Sequence, residues 1–197
     1  MRIVAGKFRR RQLLSNPGMT TRPITDRAKV ILFDRLEQSL AGARVADVFA
    51  GTGSMGLEAL SRGAASVVFL ENDHRAHELL VKNVAALHAE ADVLSWRVDI
   101  LRTSFLPKGV PQFLPYDIVL FDPPYRMTEA IQPGDPLYRA LERLAGERVT
   151  APDALLVLRC ANEAKFEFPP VWQIEQKITV NTMDLYFFRK APPAAET

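Results

Sequence analysis

The sequence predicts an α/β protein: a mostly parallel seven-stranded sheet between two layers of helices, closed at its C-terminal end by an antiparallel hairpin. Three observations predict this three-layer sandwich. Short apolar runs alternate with segments of helical periodicity from about residue 25 to residue 160, the pattern of successive strand–helix units. Tyr116–Phe121 is almost wholly apolar, as a strand covered on both faces should be. Trp172–Val180 and Asp184–Arg189 lie too close together for a helical crossover, so they pair as a hairpin.

The elements follow in order. Residues 1–14 read as a short basic hairpin, with Gly6 permitting the bend, and Asn16-Pro17-Gly18 is a loop signal. Thr25 is the N-cap of a helix to about Leu40, with Asp26 in its first turn and Val30, Ile31, Phe33 and Leu40 available for burial. Val45–Ala50 is a strand, followed by a glycine-rich turn and a helix that Gly63 stops. Ser66–Leu70 is the second strand. From Asp73 to His88 a helix carries Ala76, Leu80, Val84 and Leu87 on one stripe and an i,i+4 pair, Glu78–Lys82. Val93–Val98 is the third strand, Tyr116–Phe121 the fourth, and a helix over Pro136–Ala145 precedes the fifth, Leu155–Arg159. The expected organisation is a basic extension (1–24), one α/β domain (25–190) and an Ala/Pro tail (191–197).

With 197 residues, 48% of them hydrophobic, the chain can bury one good core. Its formal charge of +2 is unevenly placed. Nine Lys/Arg in residues 1–35 (Arg2, Lys7, Arg9, Arg10, Arg11, Arg22, Arg27, Lys29, Arg35) face two acids, a net of +7 that leaves −5 for the rest. A basic front on a mildly acidic body points to a polyanion contact at one edge. Cys160 is the single cysteine, which excludes an intrachain disulfide and a cysteine metal cluster, and its apolar surroundings read as core. No stretch approaches the roughly 20 apolar residues needed to cross a bilayer. The opening Met1–Lys7 is too short and interrupted for a signal peptide, so a cytoplasmic location is expected.

Gly51, Gly53 and Gly56 fit G-x-G-x-x-G after a strand and before a helix, where glycines let the backbone turn and a ligand approach it. Glu71, twenty residues beyond Gly51, ends the second strand, where a carboxylate can accept both ribose hydroxyl protons. The loop therefore suits an adenosine-containing ligand. Asp47 lies inside the first strand, where a dinucleotide sheet normally wants an apolar residue. A carboxylate there suits a cationic ligand, such as the sulfonium and ammonium of S-adenosylmethionine, or it hydrogen-bonds the loop. Asp99 ends the third strand; it can accept from the adenine amino group while Ile100 covers the ring. A nicotinamide or flavin dinucleotide is the competing ligand.

Asp122-Pro123-Pro124-Tyr125 follows the fourth strand directly. An exocyclic base nitrogen is a poor nucleophile because its lone pair is delocalised into the ring. Methylating it requires its two N–H groups to be held while the nitrogen pyramidalises. The Asp122 carboxylate and the Pro123 carbonyl are two acceptors one residue apart, and the prolines add stiffness and no competing N–H. Tyr125 can stack on the base, a contact worth ~1–3 kcal/mol. In an open α/β sheet the ligand crevice lies at the carboxyl ends of the strands, at the switch point where the first and fourth strands meet. His74 and His77, i,i+3 on one helix, read as solvated and not as metal ligands, and Trp96 as partly buried packing. Phe187 and Phe188 face opposite sides of the sheet.

These motifs, with Met1–Lys7, Arg22-Pro23-Ile24-Thr25-Asp26-Arg27 and Asp47–Gly53, resemble the bacterial 16S ribosomal RNA guanine-N2 methyltransferase family (RsmD-like) over nearly the whole chain. The resemblance implies a class I, Rossmann-like methyltransferase fold and S-adenosylmethionine as methyl donor. It places the cofactor on Asp47, Ala50, Gly51, Thr52, Gly53, Glu71, Asn72, Asp99, Ile100 and Asp122, and the target base on Asp122, Pro123, Pro124 and Tyr125. RNA would meet Arg2, Lys7, Arg9, Arg10, Arg11, Arg22, Thr25 and Arg27. The partner would be 16S ribosomal RNA or the small ribosomal subunit, with no membrane and no metal, and the protein a monomer. The sequence departs from the family pattern at Val30, where an acid is usual. A DNA adenine-N6 or other amino-methyltransferase, a dinucleotide-dependent oxidoreductase and a non-catalytic RNA-binding module are the alternatives.

Overall fold

The computed structural model describes residues 1–15, 24–162 and 164–192. Helix α1 spans Asp26–Leu40, with the Thr25 hydroxyl accepting from the Ala28 N–H at 3.2 Å as its N-cap. Strand β1 (Arg44–Val48) leads through the glycine loop to α2 (Ser54–Ser61), then β2 (Ser66–Glu71) to α3 (His74–Ala86), which Asp73 caps. Next come β3 (Val93–Arg97) and β4 (Tyr116–Phe121), the one-turn α4 (Tyr125–Thr128), β5 (Ala130–Ile131) and α5 (Pro136–Leu144). Strands β6 (Thr150–Ala161), β7 (Lys165–Phe166), β8 (Trp172–Val180) and β9 (Met183–Lys190) complete the order.

The main sheet runs β3-β2-β1-β4-β6-β9-β8. Its first five strands are parallel, and β9 is antiparallel to both neighbours. The sandwich and its closing hairpin are as the sequence predicts. A two-residue pair, β5 with β7, is additional and too short for any periodicity to announce. The order reverses between β1 and β4, so the connections after these strands flank one crevice at the carboxyl edge.

Two apolar clusters lie on opposite faces of the sheet. One joins α1, α2 and α3 to Val45, Phe69 and Phe187; the other joins α5 to Val119, Phe121 and Phe188. Phe187 and Phe188 thus do face opposite ways. Helix α1 buries Leu32, Phe33, Leu36 and Leu40, each worth roughly 1.5–3 kcal/mol. Val30 and Ile31, expected inside, are only half-buried. The stripe turns toward Ala28 and Leu32, and it carries Lys29 in with it. The i,i+4 pair expected on α3 is replaced: Glu78 lies 3.7 Å from His74 Nδ1. Cys160 is buried, and burial pushes its thiol up to about 12, so it packs as an inert core residue.

The N-terminal segment is hairpin-like but makes a single antiparallel bridge, Arg2 with Gln12. Ile3 and Leu13 enter the main core. Its anchor is Glu58 on α2, fully buried, which accepts from the Val4 and Ala5 N–H groups at 2.7 and 3.0 Å. Lys29, 1% exposed, donates to the Arg2 carbonyl at 2.8 Å and stands 3.9 Å from Glu58. Among the described residues no helix is long and apolar enough to cross a membrane.

Candidate functional site

Backbone hydrogen bonds stitch four strand ends into one rim. The Asp122 N–H donates to the Val48 carbonyl at 3.2 Å, Ala50 N–H to Leu70 at 3.0 Å, and Val98 N–H to Glu71 at 3.0 Å. The connections carrying Gly51, Glu71, Asp99 and Asp122 are therefore neighbours in that rim.

Within the glycine loop each glycine has a different task. Gly51 (φ +57°) borders open space: a Cβ there would meet nothing within 4 Å. Gly53 (φ +83°) would place a Cβ 2.4 Å from Leu80, and Gly56 2.3 Å from the Phe69 ring. The first glycine thus leaves room at the rim, and the other two let α2 pack on α3 and the sheet. Phe49 also takes a left-handed φ, +65°, at the end of β1, a conformation that a non-glycine residue adopts at a cost.

Asp47 is 1% exposed; its Oδ2 accepts from the Gly56 N–H at 2.8 Å while its Oδ1 has no partner among the described residues. Burial, reinforced by the charges of Asp122 and Glu71, pushes its carboxyl up to about 8. Of its two expected roles, bonding the loop is met by Oδ2, and Oδ1 is left for a ligand. Thr52 Oγ1 and Ser54 Oγ are likewise buried without a partner among the described residues. Unsatisfied buried oxygens are costly and rare, and three of them along one strand-to-helix connection fit a polar ligand seated there. Thr52 is held from behind, where Asn83 on α3 donates to its carbonyl at 2.9 Å and also bonds Leu14 in both directions.

Glu71 also holds the backbone around it. Its two oxygens already accept from the Gly51 and Asp73 N–H groups, each at 2.7 Å. Two of the roughly four lone-pair positions of a carboxylate remain for ribose hydroxyls. Asn72 is exposed beside it, and Ala50 is buried under the loop. Asp99 lies two residues beyond β3, with its side chain 44% exposed; it accepts from the Leu101 N–H at 3.0 Å and pairs loosely with Arg102 at 3.5 Å. Ile100 does not present a face to the rim: it is 2% exposed and packed in the α5-side core. The covering role expected of it is not supported by this position.

Asp122 follows β4, and Pro123 is buried behind it. The Pro123 carbonyl accepts no hydrogen bond from any described residue, whereas the Pro124 carbonyl accepts from Met127 at 2.8 Å and opens α4. Tyr125 is half-buried at the start of that turn. Sequence reasoning missed the partner of Asp122. Arg159 on β6 grips it with two bonds, Nε to Oδ1 at 2.6 Å and Nη2 to Oδ2 at 2.8 Å, with side chains only 6% and 13% exposed. The Arg159 guanidinium also lies 5.5 Å from the Tyr125 ring centre. Burial raises the Asp122 carboxyl and Arg159 opposes that rise. The sequence offers only an arginine directly after the apolar run Leu155–Leu158; the register that pairs Phe121 with Leu158, one residue before each, is a property of the sheet.

Of the expected RNA contacts, Arg22 lies outside the described residues. Arg9, Arg10 and Arg27 are exposed with no ion pair among the described residues. Arg2 pairs with Asp26 at 2.7 Å, Lys7 with Asp92 at 3.6 Å, and Arg11 donates to the Ala86 carbonyl at 3.1 Å. Thr25 spends its hydroxyl on the helix cap. Among the described residues no cluster of His, Cys, Asp and Glu could hold a metal. A shallow groove lined by Leu106, Val110, Leu114 and Arg148 lies at the opposite end of β4 and does not reach these residues.

Residues 1–189 match the family model described as conserved hypothetical protein 95. The chain is 41% identical over 130 residues to ribosomal RNA small subunit methyltransferase D of Escherichia coli strain K12; the match spans 64% of this chain and 61% of that protein. With the protein of the same name from Haemophilus influenzae it shares 30% identity over 196 residues, 96% of this chain and 93% of the relative. Among solved structures, the yhhF protein of Escherichia coli superposes with a TM-score of 0.77 at 28% identity and covers 98% of both chains.

Proposed function

The chain belongs to the conserved hypothetical protein 95 family of RsmD-like methyltransferases, and on that premise we propose that it methylates the exocyclic N2 amino group of a guanine in small-subunit ribosomal RNA, with S-adenosylmethionine as donor. The observation that carries this reading is the bond from the Asp122 N–H to the Val48 carbonyl, which sets the Asp122-Pro123 turn beside the end of β1 that leads into the glycine loop, with the Pro123 carbonyl accepting from no described residue. Paired acceptors suit the exocyclic amine of any base; guanine N2 is the one that the family resemblance implies.

The cofactor would be held by the loop of Ala50 to Gly53, the free lone pairs of Glu71, the unsatisfied Asp47 Oδ1 and the half-exposed Asp99. When bound, S-adenosylmethionine supplies an electrophilic methyl carbon. Asp122 and Pro123 orient the amine by accepting its two hydrogens, which turns the nitrogen lone pair toward the glycine loop. The Asp122 charge then stabilises the positive charge that develops on nitrogen. Tyr125 offers a ring against which the base stacks. Arg9, Arg10 and Arg27, exposed on the basic front, supply positive charge for phosphates.

The test is to incubate the protein with labelled methyl donor and, separately, small subunits, naked small-subunit RNA and DNA, and to digest the products to nucleosides. N2-methylguanosine from the ribosomal substrate is the expected product. Methylated adenine in DNA, or binding of a nicotinamide dinucleotide without binding of the methyl donor, would overturn the reading.

A further inference from the structure

The ion pair between Arg159 and Asp122 is more than a buried contact, because of where it grips. Strand β4 lies between β1 and β6 in the sheet. Arg159 therefore reaches Asp122 from the side opposite the glycine loop. Its fork takes one lone pair on each carboxylate oxygen, at 2.6 and 2.8 Å. About two lone-pair positions remain. A bidentate guanidinium also fixes the plane of the carboxylate, which a single point charge does not.

We propose that Arg159 is a positioning residue for Asp122: it sets the plane of the carboxylate so that its remaining lone pairs meet the base amine beside the cofactor loop. This rests on the reading of Asp122 given above. Arg159 also bears on the charge state of that group. The carboxyls of Asp47 on β1 and Glu71 at the end of β2 face the same rim, Tyr125 opens α4 beside it, and Arg159 on β6 is the positive charge in contact with it. Burial favours protonation of Asp122, and a protonated Asp122 has lost acceptor capacity. Arg159 opposes that protonation through its charge and its two hydrogen bonds.

The experiment compares wild type, Arg159→Met and Arg159→Lys in methyl transfer to small-subunit RNA from about pH 6 to about pH 9, with donor binding followed by calorimetry as the check that each variant is folded. In R159M, kcat near neutral pH should fall about 10- to 100-fold. Part of that activity should return at higher pH, because the acid limb moves upward when the counter-charge is gone. R159K keeps a charge and lacks the fork, so its acid limb should stay near that of wild type while kcat falls. The KM for the methyl donor should change less than about twofold in both. An acid limb in R159M that coincides with wild type overturns the proposal, as does a rise in the KM for RNA with kcat intact. If R159M does not fold, R159K decides alone, and an unchanged kcat refutes the positioning role. Failure of the wild-type protein to methylate any RNA would instead remove the functional reading beneath it.

Discussion

Glu58→Gln isolates the anchor of the N-terminal segment. Glu58 is fully buried and accepts from Val4 at 2.7 Å, Ala5 at 3.0 Å and Arg62 Nε at 3.0 Å, with Lys29 Nζ at 3.9 Å. A glutamine fits the same space and keeps one acceptor, but it turns an amide donor toward one of those donors. Lys29, itself 1% exposed, is left as a buried charge without its counter-ion. Arg62 suffers less because Asp34 pairs with it at 2.9 Å. Breaking a buried pair from one side costs about 3–5 kcal/mol, and for a domain of this size each kcal/mol moves Tm by about 2–4 °C. A fall of roughly 6 to 20 °C follows. Differential scanning calorimetry reads it, with Arg2→Ala as control: that pair is about half exposed on both sides and should be worth under about 1 kcal/mol. Adding Lys29→Met to E58Q should restore part of the stability, since the two changes share one network. A Tm for E58Q within about 2 °C of wild type would refute this role for Glu58.

Two further outcomes follow from the same geometry. Replacing Arg9 and Arg10 by alanine should weaken RNA binding and flatten the plot of log affinity against log salt by about 0.7 to 0.9 for each phosphate that is no longer neutralised. An unaltered slope would move the RNA face elsewhere. At Asp47, burial holds the carboxyl near 8, so at neutral pH the free protein carries a proton there, which a cationic ligand at the loop would displace. Methyl-donor binding should release protons, strengthen as pH rises toward 8, and lose this coupling in Asp47→Asn. Calorimetry in buffers of different ionisation enthalpy measures the release, and a zero count would contradict it.

What was legible in the sequence was local. The range of β4 is the run Tyr116–Phe121, because Pro115 and Asp122 bound a stretch that is apolar but for Asp117. The cap of α1 stands at Thr25, since side-chain capping acts within one turn, and α3 begins one residue after Asp73, where the sequence places its start. The glycine loop and Asp122 were visible because each motif packs its chemistry into four to six consecutive residues. What was hidden depends on interactions between distant segments. Lys29 counted as one of the basic front-end charges, yet it is a core residue paired with Glu58 from another helix. Glu71 read as a free acceptor, yet the turn of Gly51 twenty residues earlier and the N–H of Asp73 together consume half of it. Ile100 was assigned to the rim from its neighbour, but the chain turns it into the core. Arg159 joins Asp122 only through strand register, which a single sequence does not state.

The proposed chemistry stands on Asp122 and Pro123 holding the acceptor amine beside a donor seated on the glycine loop. Single-turnover methyl transfer by Asp122→Ala, with calorimetry of methyl-donor binding on the same preparation, probes that arrangement at its reacting atoms. The rate should fall by about 100- to 1000-fold with donor affinity nearly intact. Transfer at the wild-type rate by a variant that binds the donor normally would show that Asp122 does not hold the amine.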